Sequence, residues 1–463
     1  RFTREDFHRP AYLTNALFRD LARQGWPTLP VYDPNGYMFH SPSPALPLRD
    51  GGKHNIQTDN IYQQISLILE PIKNWITHVD FNYRINTVNN HWDTQTLYNH
   101  DVQGNPYPIG YYQDTEAHED QTKENYMNFN AYTEYSHSLE SGHNFKGMIG
   151  FQAEEMKQQT FGATRKGIIV PELPEIDITT GLDYTGKVVT PSVNGSRAAW
   201  STAGFFGRIN YDYKGKYLLE ANFRADASSR FAKGYRWGYF PSFSAGWRIS
   251  EEDFMENTRG WLQSLKFRGS WGLLGNQDAV KDEYYPYLPT LYIGKNFPFG
   301  GTVHQGITVV SHKVTTISWE NSTNWGIGFD ANFLNEFMLS VEYYNRKTSD
   351  IIMDIPVSDT FGISGTYQDN KGSLRNSGVE ASFAWNHSFN KDWRMGVNAN
   401  FSYNKNELLD LAGVNEIIDG YTINRIGEPY QSFYVYEVDG LFQSDEEAAA
   451  YEKQYGNPWS LPF

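Results

Sequence analysis

Apolar and polar positions alternate strictly through the middle of the chain. In Tyr217-Leu-Leu-Glu-Ala-Asn-Phe-Arg-Ala-Asp226 the odd positions are Tyr217, Leu219, Ala221, Phe223 and Ala225; the even positions after Leu218 are Glu220, Asn222, Arg224 and Asp226. The same parity returns in Trp237, Tyr239, Phe243, Ala245 and Trp247, set against Ser242, Ser244 and Arg248. It returns again in Leu265, Phe267 and Trp271, set against Lys266, Arg268 and Ser270. A period of two over such lengths means strands with one apolar and one polar face. The polar face carries too many charges to close a dry core. The pattern predicts an all-β fold, a transmembrane antiparallel β-barrel with lipid outside and a wet lumen inside.

Extending this pattern gives roughly twelve strands between Ile61 and Asn404. They are Ile61–Glu70, Trp75–Asn86, Met127–Ser136, Phe145–Gln152, Trp200–Tyr213, Tyr217–Asp226, Trp237–Ile249, Leu265–Leu273, Trp325–Phe333, Phe337–Arg346, Val379–Trp385 and Trp393–Tyr403. Short turns join members of a pair, at Pro71–Asn74, Leu139–Gly142, Lys214-Gly215, Leu334–Glu336 and His387–Asp392. Long loops join successive pairs: Thr87–Glu124, Glu154–Ala198, Gly275–Thr323 and Lys347–Arg375. Ala227–Arg236 is a shorter member of the long set and Ser250–Ser264 a longer member of the short set. Short periplasmic turns and long extracellular loops are the habit of outer-membrane barrels, so the alternation assigns sidedness. Residues 1–60 read as a loop-rich segment with helical character over Pro10–Arg23, and residues 405–463 as a loop. That loop holds a possible strand, Gln431–Val438, and a capped acidic helix, Ser444–Tyr455. Pro458 and Pro462 remove ladder donors ahead of Phe463, so the C-terminus reads as an interruption inside a barrel and the chain as a partial one.

Composition sharpens this picture. The 463 residues contain no stretch of about 18 apolar residues, so the membrane is not crossed by a helix. A mean hydropathy of -0.60 does not argue against strands, of which only alternate residues meet lipid. Aromatics make up 16% of the chain, enough for interfacial girdles; Trp385 and Trp393 flank one short turn, and Tyr213 and Tyr217 another. A net charge of -15 without a basic cluster argues against nucleic acid, and the lack of cysteine excludes thiol chemistry.

No catalytic, cofactor or metal motif emerges. His118-Glu119-Asp120-Gln121-Thr122 starts like a zinc helix but lacks a second histidine and reads as a solvated acidic loop. Gly326-Ile-Gly328 leads along a strand and cradles no phosphate. Glu172, Glu175 and Asp177 lie among prolines and read as solvent-facing acids rather than a glycosidase pair. The alternation points Arg224, Arg248 and Arg268 into the lumen beside Glu220 and Asp226. There they form either a structural network of ion pairs, or a polar path for solute, or a surface against which an internal plug rests. Tyr111, Tyr112, Tyr284, Tyr285, Tyr287 and Tyr292 supply loop aromatics that either stack on sugar rings or pack the loops together. No substrate-binding residue follows from these features.

Several segments resemble a known family. Tyr217 to Phe231, Arg236-Trp-Gly-Tyr-Phe-Pro-Ser-Phe-Ser-Ala-Gly-Trp-Arg248 and Leu265-Lys-Phe-Arg-Gly-Ser-Trp-Gly-Leu-Leu-Gly-Asn-Gln277 are similar to the barrel of SusC/RagA-like TonB-dependent outer-membrane transporters of Bacteroidetes. So are Trp319-Glu-Asn-Ser-Thr-Asn324, Tyr343-Tyr-Asn-Arg-Lys-Thr-Ser-Asp350, Asn376-Ser-Gly-Val-Glu380 and Gly427-Glu-Pro-Tyr430. The resemblance implies a portion of a 22-stranded barrel, whose plug lies outside this sequence. It implies active import of an oligosaccharide or peptide, not an enzyme activity. The partners it implies are a SusD-like lipoprotein lid and a TonB-ExbB-ExbD complex, with dimers of transporter-lid pairs as one assembly. The alternatives are a passive porin or adhesin barrel, and a secreted carbohydrate-binding β-protein. The last would need an apolar interior face.

Overall fold

The structure is a computed structural model describing residues 1–12, 30–40, 44–278, 283–309, 313–357, 360, 365–438 and 440–456. The strands in chain order are β1 (Phe2–Pro10), β2 (Lys53–Ile72), β3 (Trp75–Thr94), β4 (Tyr98–His100), β5 (Pro106–Pro108), β6 (Glu116–Ser138), β7 (His143–Lys166), β8 (Ser192–Tyr213), β9 (Tyr217–Ser228) and β10 (Trp237–Arg248). There follow β11 (Leu262–Asn276), β12 (Leu291–Phe299), β13 (Thr302–Val309), β14 (Glu320–Phe333), β15 (Phe337–Pro356), β16 (Thr366–Ser388), β17 (Arg394–Leu411), β18 (Glu416–Asp419), β19 (Thr422–Arg425) and β20 (Ser432–Phe433). One 13-stranded sheet runs β1-β2-β3-β6-β7-β8-β9-β10-β11-β14-β15-β16-β17. Every neighbouring pair in it is antiparallel. The remaining strands form small sheets of their own.

Parity survives from strand to strand because the tight turns hold it. Tyr213 pairs with Tyr217 and Phe333 with Phe337, each across three residues, so odd positions meet odd positions. Those turns need left-handed backbone at Lys214 and Gly215, and at Leu334 and Asn335 (φ 52°, 66°, 55° and 57°). Apart from bulges near strand ends, the pairings from β2 to β17 join like parity. One row runs Phe145, Tyr211, Leu219, Ala245, Gly269, Ile327, Tyr343, Val379, Tyr403. The odd face is exposed and apolar: Ile149 is 69%, Ile209 63% and Phe401 61% accessible. An apolar face of this extent belongs in lipid. The even face then lines the wet interior.

At the short-turn rim the aromatics form a stacked belt. Tyr213, Tyr217 and Trp247 follow one another at 6.3 and 6.5 Å, and Phe337 lies 6.2 Å from Trp385. Their polar tips are anchored by turn carboxylates: Trp247 Nε1–H donates to Glu252 at 2.9 Å, and Trp385 Nε1–H to Glu336 at 2.9 Å. This is the amphipathic placement expected at a membrane interface.

Three expectations are corrected. The segment before residue 61 contains β1 and the start of β2, so it is not all loop; the part of the expected helix after Tyr12 lies outside the described residues. Three long connections are shortened by strand, Lys347–Arg375 among them, where Ile352–Pro356 pairs with Thr366–Asn370. Thr87–Thr94 pairs with Glu116–Lys123, and Glu154–Thr164 continues the ladder with Ser192–Thr202. The alternation fades there because local packing takes the place of lipid, with Asp93, Ala117 and His118 buried, while the backbone ladder continues. The connection between β11 and β14 also carries the hairpin β12–β13. The helix at Asp445–Tyr455 forms as read, its Ser444 hydroxyl accepting from Glu447 N–H at 3.2 Å. Only Ser432–Phe433 of the expected C-terminal strand is extended into a ladder.

Candidate functional site: the outer loops and the lumenal wall

The long connections pack into local cores above the sheet. Leu46, Leu97 and Ile109 are buried together, with Met38 and Tyr112 against them. The two chain segments are tied by Asn99, which accepts from His40 N–H at 2.9 Å and donates to His40 O at 3.1 Å. A second core joins Phe231, Phe240, Ile317 and Trp319. Trp319 Nε1–H donates to Arg236 O at 2.8 Å, and Arg236 Nε–H to Phe231 O at 3.0 Å. Beside it, Glu320 is buried and accepts from Asn276 Nδ2 (2.8 Å) and Ile352 N–H (2.9 Å). The Arg230 guanidinium is buried between the rings of Trp200 and Tyr284, at 5.3 and 5.6 Å. Arg230, Phe231, Phe240, Trp319 and Glu320 belong to the quoted motifs, and their work is to lock the outer rim. Sequence reasoning missed Arg230 and Glu320 because their partners lie far along the chain.

The loop tyrosines divide. Tyr111 stands 79% exposed, and Tyr292 is exposed. Tyr112 packs into the first core, and burial pushes its hydroxyl up to about 12. Tyr284 covers Arg230, and the Tyr285 hydroxyl accepts from Ala199 N–H at 3.1 Å. Loop packing therefore engages at least three of the six, while Tyr287 is half-buried.

On the lumenal wall, Arg224 pairs with Asp226 at 2.6 Å and donates to Gln152 at 2.9 Å. Glu220 accepts from Asn210 and Asn222 at 2.6 and 2.8 Å. Arg268 bridges Glu342 and Asp330. Arg248 stands apart at the short-turn end of β10, its guanidinium over Gly215. A recurring device serves these contacts: a long side chain lies across a glycine to reach the strand beyond. Arg268 pairs in register with Gly328, which pairs with Glu342. Tyr344 crosses Gly378 and donates its hydroxyl to Asn404 at 3.1 Å. A Cβ at Gly328 would meet Val341 O at 2.6 Å, and one at Gly378 the Tyr344 oxygen at 2.8 Å. The Gly326-Ile-Gly328 run thus makes room on a strand.

His118 does not sit in a solvated loop; it is buried in β6, stacked on Trp92 at 3.4 Å and held by Thr164 at 2.8 Å. Glu172, Glu175 and Asp177 are exposed, as read. Among the described residues, His91, Glu119 and Glu175 bring ligand-type atoms within 4.8 Å of one another. His91 Nδ1 and a Glu119 carboxylate oxygen already share a hydrogen bond, and Glu175 is exposed, so nothing beyond that contact is required.

A family model described as TonB dependent receptor-like, beta-barrel, matches residues 6–456. The chain belongs to the TonB-dependent receptor β-barrel family. It is 29% identical over 400 residues to TonB-dependent receptor P39 of Formosa agariphila, covering 85% of this chain and 35% of the relative. It is 31% identical over 332 residues to TonB-dependent receptor SusC of Bacteroides thetaiotaomicron, covering 67% of this chain and 31% of the relative. The chain thus spans about a third of the length of these curated relatives. Among solved structures it shares the fold of the RagAB peptide transporter, with TM-score 0.69, 24% identity, and coverage of 82% of this chain and 40% of that one. RagAB in its 'closed-closed' state gives 0.72, 22%, 87% and 43%. As a TonB-dependent receptor barrel the chain stands in the bacterial outer membrane, its odd face in lipid.

Proposed function

We propose that this barrel wall belongs to a transporter that imports an oligosaccharide or peptide nutrient across the outer membrane. A SusD-like surface lipoprotein lids the outer loops, a TonB-ExbB-ExbD complex supplies the energy, and such units assemble in pairs. The observation that carries the reading is a lumenal wall lined by paired charges and amides, rimmed on one side by packed outer loops. Such a wall makes no covalent change to cargo; it keeps a wide passage wet and presents the loops to a partner. Similarity to SusC supports the lid and the coupling. Residues 1–463 then form one partial barrel domain, with 1–60 and 405–463 flanking the strand-rich middle.

The test is native mass spectrometry of the particle extracted from outer membranes, paired with uptake by living cells. A lipoprotein-sized companion, and uptake abolished by collapsing the proton gradient, support the reading. A barrel without a companion, conducting solute without the gradient, makes it a passive porin or an adhesin.

A further inference from the structure

A hollow interrupts the lipid-facing wall. In the row Leu219, Ala245, Gly269, Ile327 the two middle positions are small, and they are register partners on β10 and β11. Large rings stand to either side of them along the strands. Trp247 pairs with Phe267 on the short-turn side; Phe243 pairs with Trp271 on the other, the two rings 6.1 Å apart. Phe243 and Trp247 lie four residues apart on one strand, roughly 13 Å. Leu219 and Ile327 close the sides. The hollow so framed has a volume of about 710 Å³, and one of about 610 Å³ adjoins it over the same Ala245 and Gly269. Cavities of this size hold small ligands. Nothing within the chain explains why position 269 is a glycine. Its φ is not in the left-handed region, and a Cβ there would meet only Gly326 O at 3.8 Å and Ile327 Cγ2 at 3.9 Å, which is ordinary contact. A Cβ at Gly328 or Gly378 collides instead. Glycine weakens a strand interior, and where the chain itself does not demand one it marks the close approach of something else.

What approaches this face is hydrocarbon, because the odd positions of the barrel stand in lipid. A polar anchor sits on the belt below. Tyr213, Tyr217 and Trp247 form that belt, and Lys214 Nζ lies 5.3 Å over the Tyr213 ring. Tyr213 is an odd position, so the ammonium stands on the lipid side of the rim. Glu252, the acid of this belt, is already engaged by Lys216 at 3.4 Å and by the polar tips of Tyr217 and Trp247. Among the described residues Lys214 forms no ion pair and is exposed. A free cation at headgroup level is complementary to a phosphate, whereas a knob from a second copy of the barrel has no use for it. From Gly215 to Leu219 is four residues, roughly 13 Å along β9. The hydrocarbon of one leaflet is about 15 Å deep, half of the full core. A chain hung from a phosphate at Lys214 therefore reaches the hollow.

We propose that this hollow is a phospholipid site, with one acyl chain lying over Ala245 and Gly269 and the phosphate at Lys214. It does not depend on what the barrel imports. The intact transporter is extracted from outer membranes, stripped of lipid by detergent exchange and titrated with phosphatidylglycerol, the bound lipids being counted by native mass spectrometry. One molecule per barrel is expected to bind ahead of the rest. Gly269→Leu fills the hollow and should weaken that first binding about tenfold. Lys214→Gly suits the left-handed turn (φ 52°), removes the ammonium and should weaken it about fivefold. Diacylglycerol, which lacks the phosphate, should bind wild type and Lys214→Gly alike. The control is Gly147→Leu. Gly147 is another odd position, on β7, where a Cβ meets nothing within 4 Å, but it lies outside both hollows. That variant should stay within about twofold of wild type. Heat-modifiable migration on gels establishes that each variant is a folded barrel. Equal binding by wild type and Gly269→Leu, or an equal loss in Gly147→Leu, leaves annular lipid only and overturns the site. Unchanged affinity in Lys214→Gly overturns the placement of the phosphate. Absence of bound lipid, with paired barrels that Gly269→Leu separates, makes the hollow an interface between copies and overturns the proposal.

Discussion

Replacing Phe231 with alanine separates the outer rim from the barrel beneath it. Its side chain is fully buried, 5.5 Å from the Trp319 ring. Removing a buried phenylalanine costs about 3–5 kcal/mol when the cavity cannot collapse. Here the loss falls on a local unit. Phe231 sits in the turn from β9 to β10, which is closed by Ser228 N–H to Arg236 O at 3.1 Å and Ser229 N–H to Ser201 O at 2.9 Å. The sheet below is held by its own ladders, so the cost raises local opening rather than unfolding the wall. A cost of about 3 kcal/mol corresponds to a rise in the open population of roughly a hundredfold. Hydrogen exchange of the Ser228 and Ser229 amides reads it directly, and protease cleavage in 229–236 should rise in parallel. Exchange in β7 and β8 at mid-sheet, and the heat-modifiable gel shift, should stay as in wild type. The reasoning is refuted if protection at Ser228 and Ser229 is unchanged, or if the whole barrel melts with the rim.

Three further outcomes follow from named contacts. Gly150→Val drives a branched side chain into Phe206 and Tyr132, and should destabilise the barrel by about 1–3 kcal/mol, read as a lower temperature for the heat-modifiable shift. Glu342→Gln weakens the charge pairing of Arg268, whose side chain is about a third exposed at 32%; the loss should be about 1 kcal/mol or less, smaller at high salt. Asp101 is held below the usual carboxylate range by the Asn105 side chain and by backbone N–H groups of Asn105, Gln103 and Gly104. A depressed folded-state value means that this turn is fully supported above the ordinary aspartate range and loosens as pH falls through the lowered value. Amide exchange at Gln103 and Asn105 should rise at that acid end, and Asp101→Asn should abolish the pH dependence.

The order of the strands was legible because lipid and lumen impose opposite demands on alternate residues. From Trp75 to Tyr403 that demand survives every turn. β1 escaped notice because Phe2-Thr-Arg-Glu-Asp-Phe-His-Arg-Pro10 has no apolar face, and its Arg4 pairs in register with Asp59 at 2.7 Å. The upper ends of β3, β6 and β7 were hidden because polar pairs such as Asn89 and Gln121, which bond to each other, stand where an apolar face would be. The helix at Asp445–Tyr455 was legible because its cap is local, with Ser444 and Glu447 three residues apart. The packing of Tyr132 and Phe206 over Gly150 had a sequence signal, two aromatics at even positions. Its continuity depends on register between strands that only the fold supplies. Arg230 gave no local sign of being buried, since Trp200 and Tyr284 approach it from distant segments.

The central claim is that odd positions meet lipid and even positions meet water. The sequence has no cysteine, so a thiol introduced within it is unique there. The decisive measurement places single cysteines at Ile209, Phe223 and Phe243, and at Asn222, Ser244 and Ser270, in the transporter reconstituted into bilayers. Each is labelled with a small fluorophore and exposed in turn to brominated lipid and to a water-soluble quencher. Parity predicts lipid quenching at the first three sites and aqueous quenching at the last three. Quenching that does not alternate between Asn222 and Phe223, or between Phe243 and Ser244, would contradict the account.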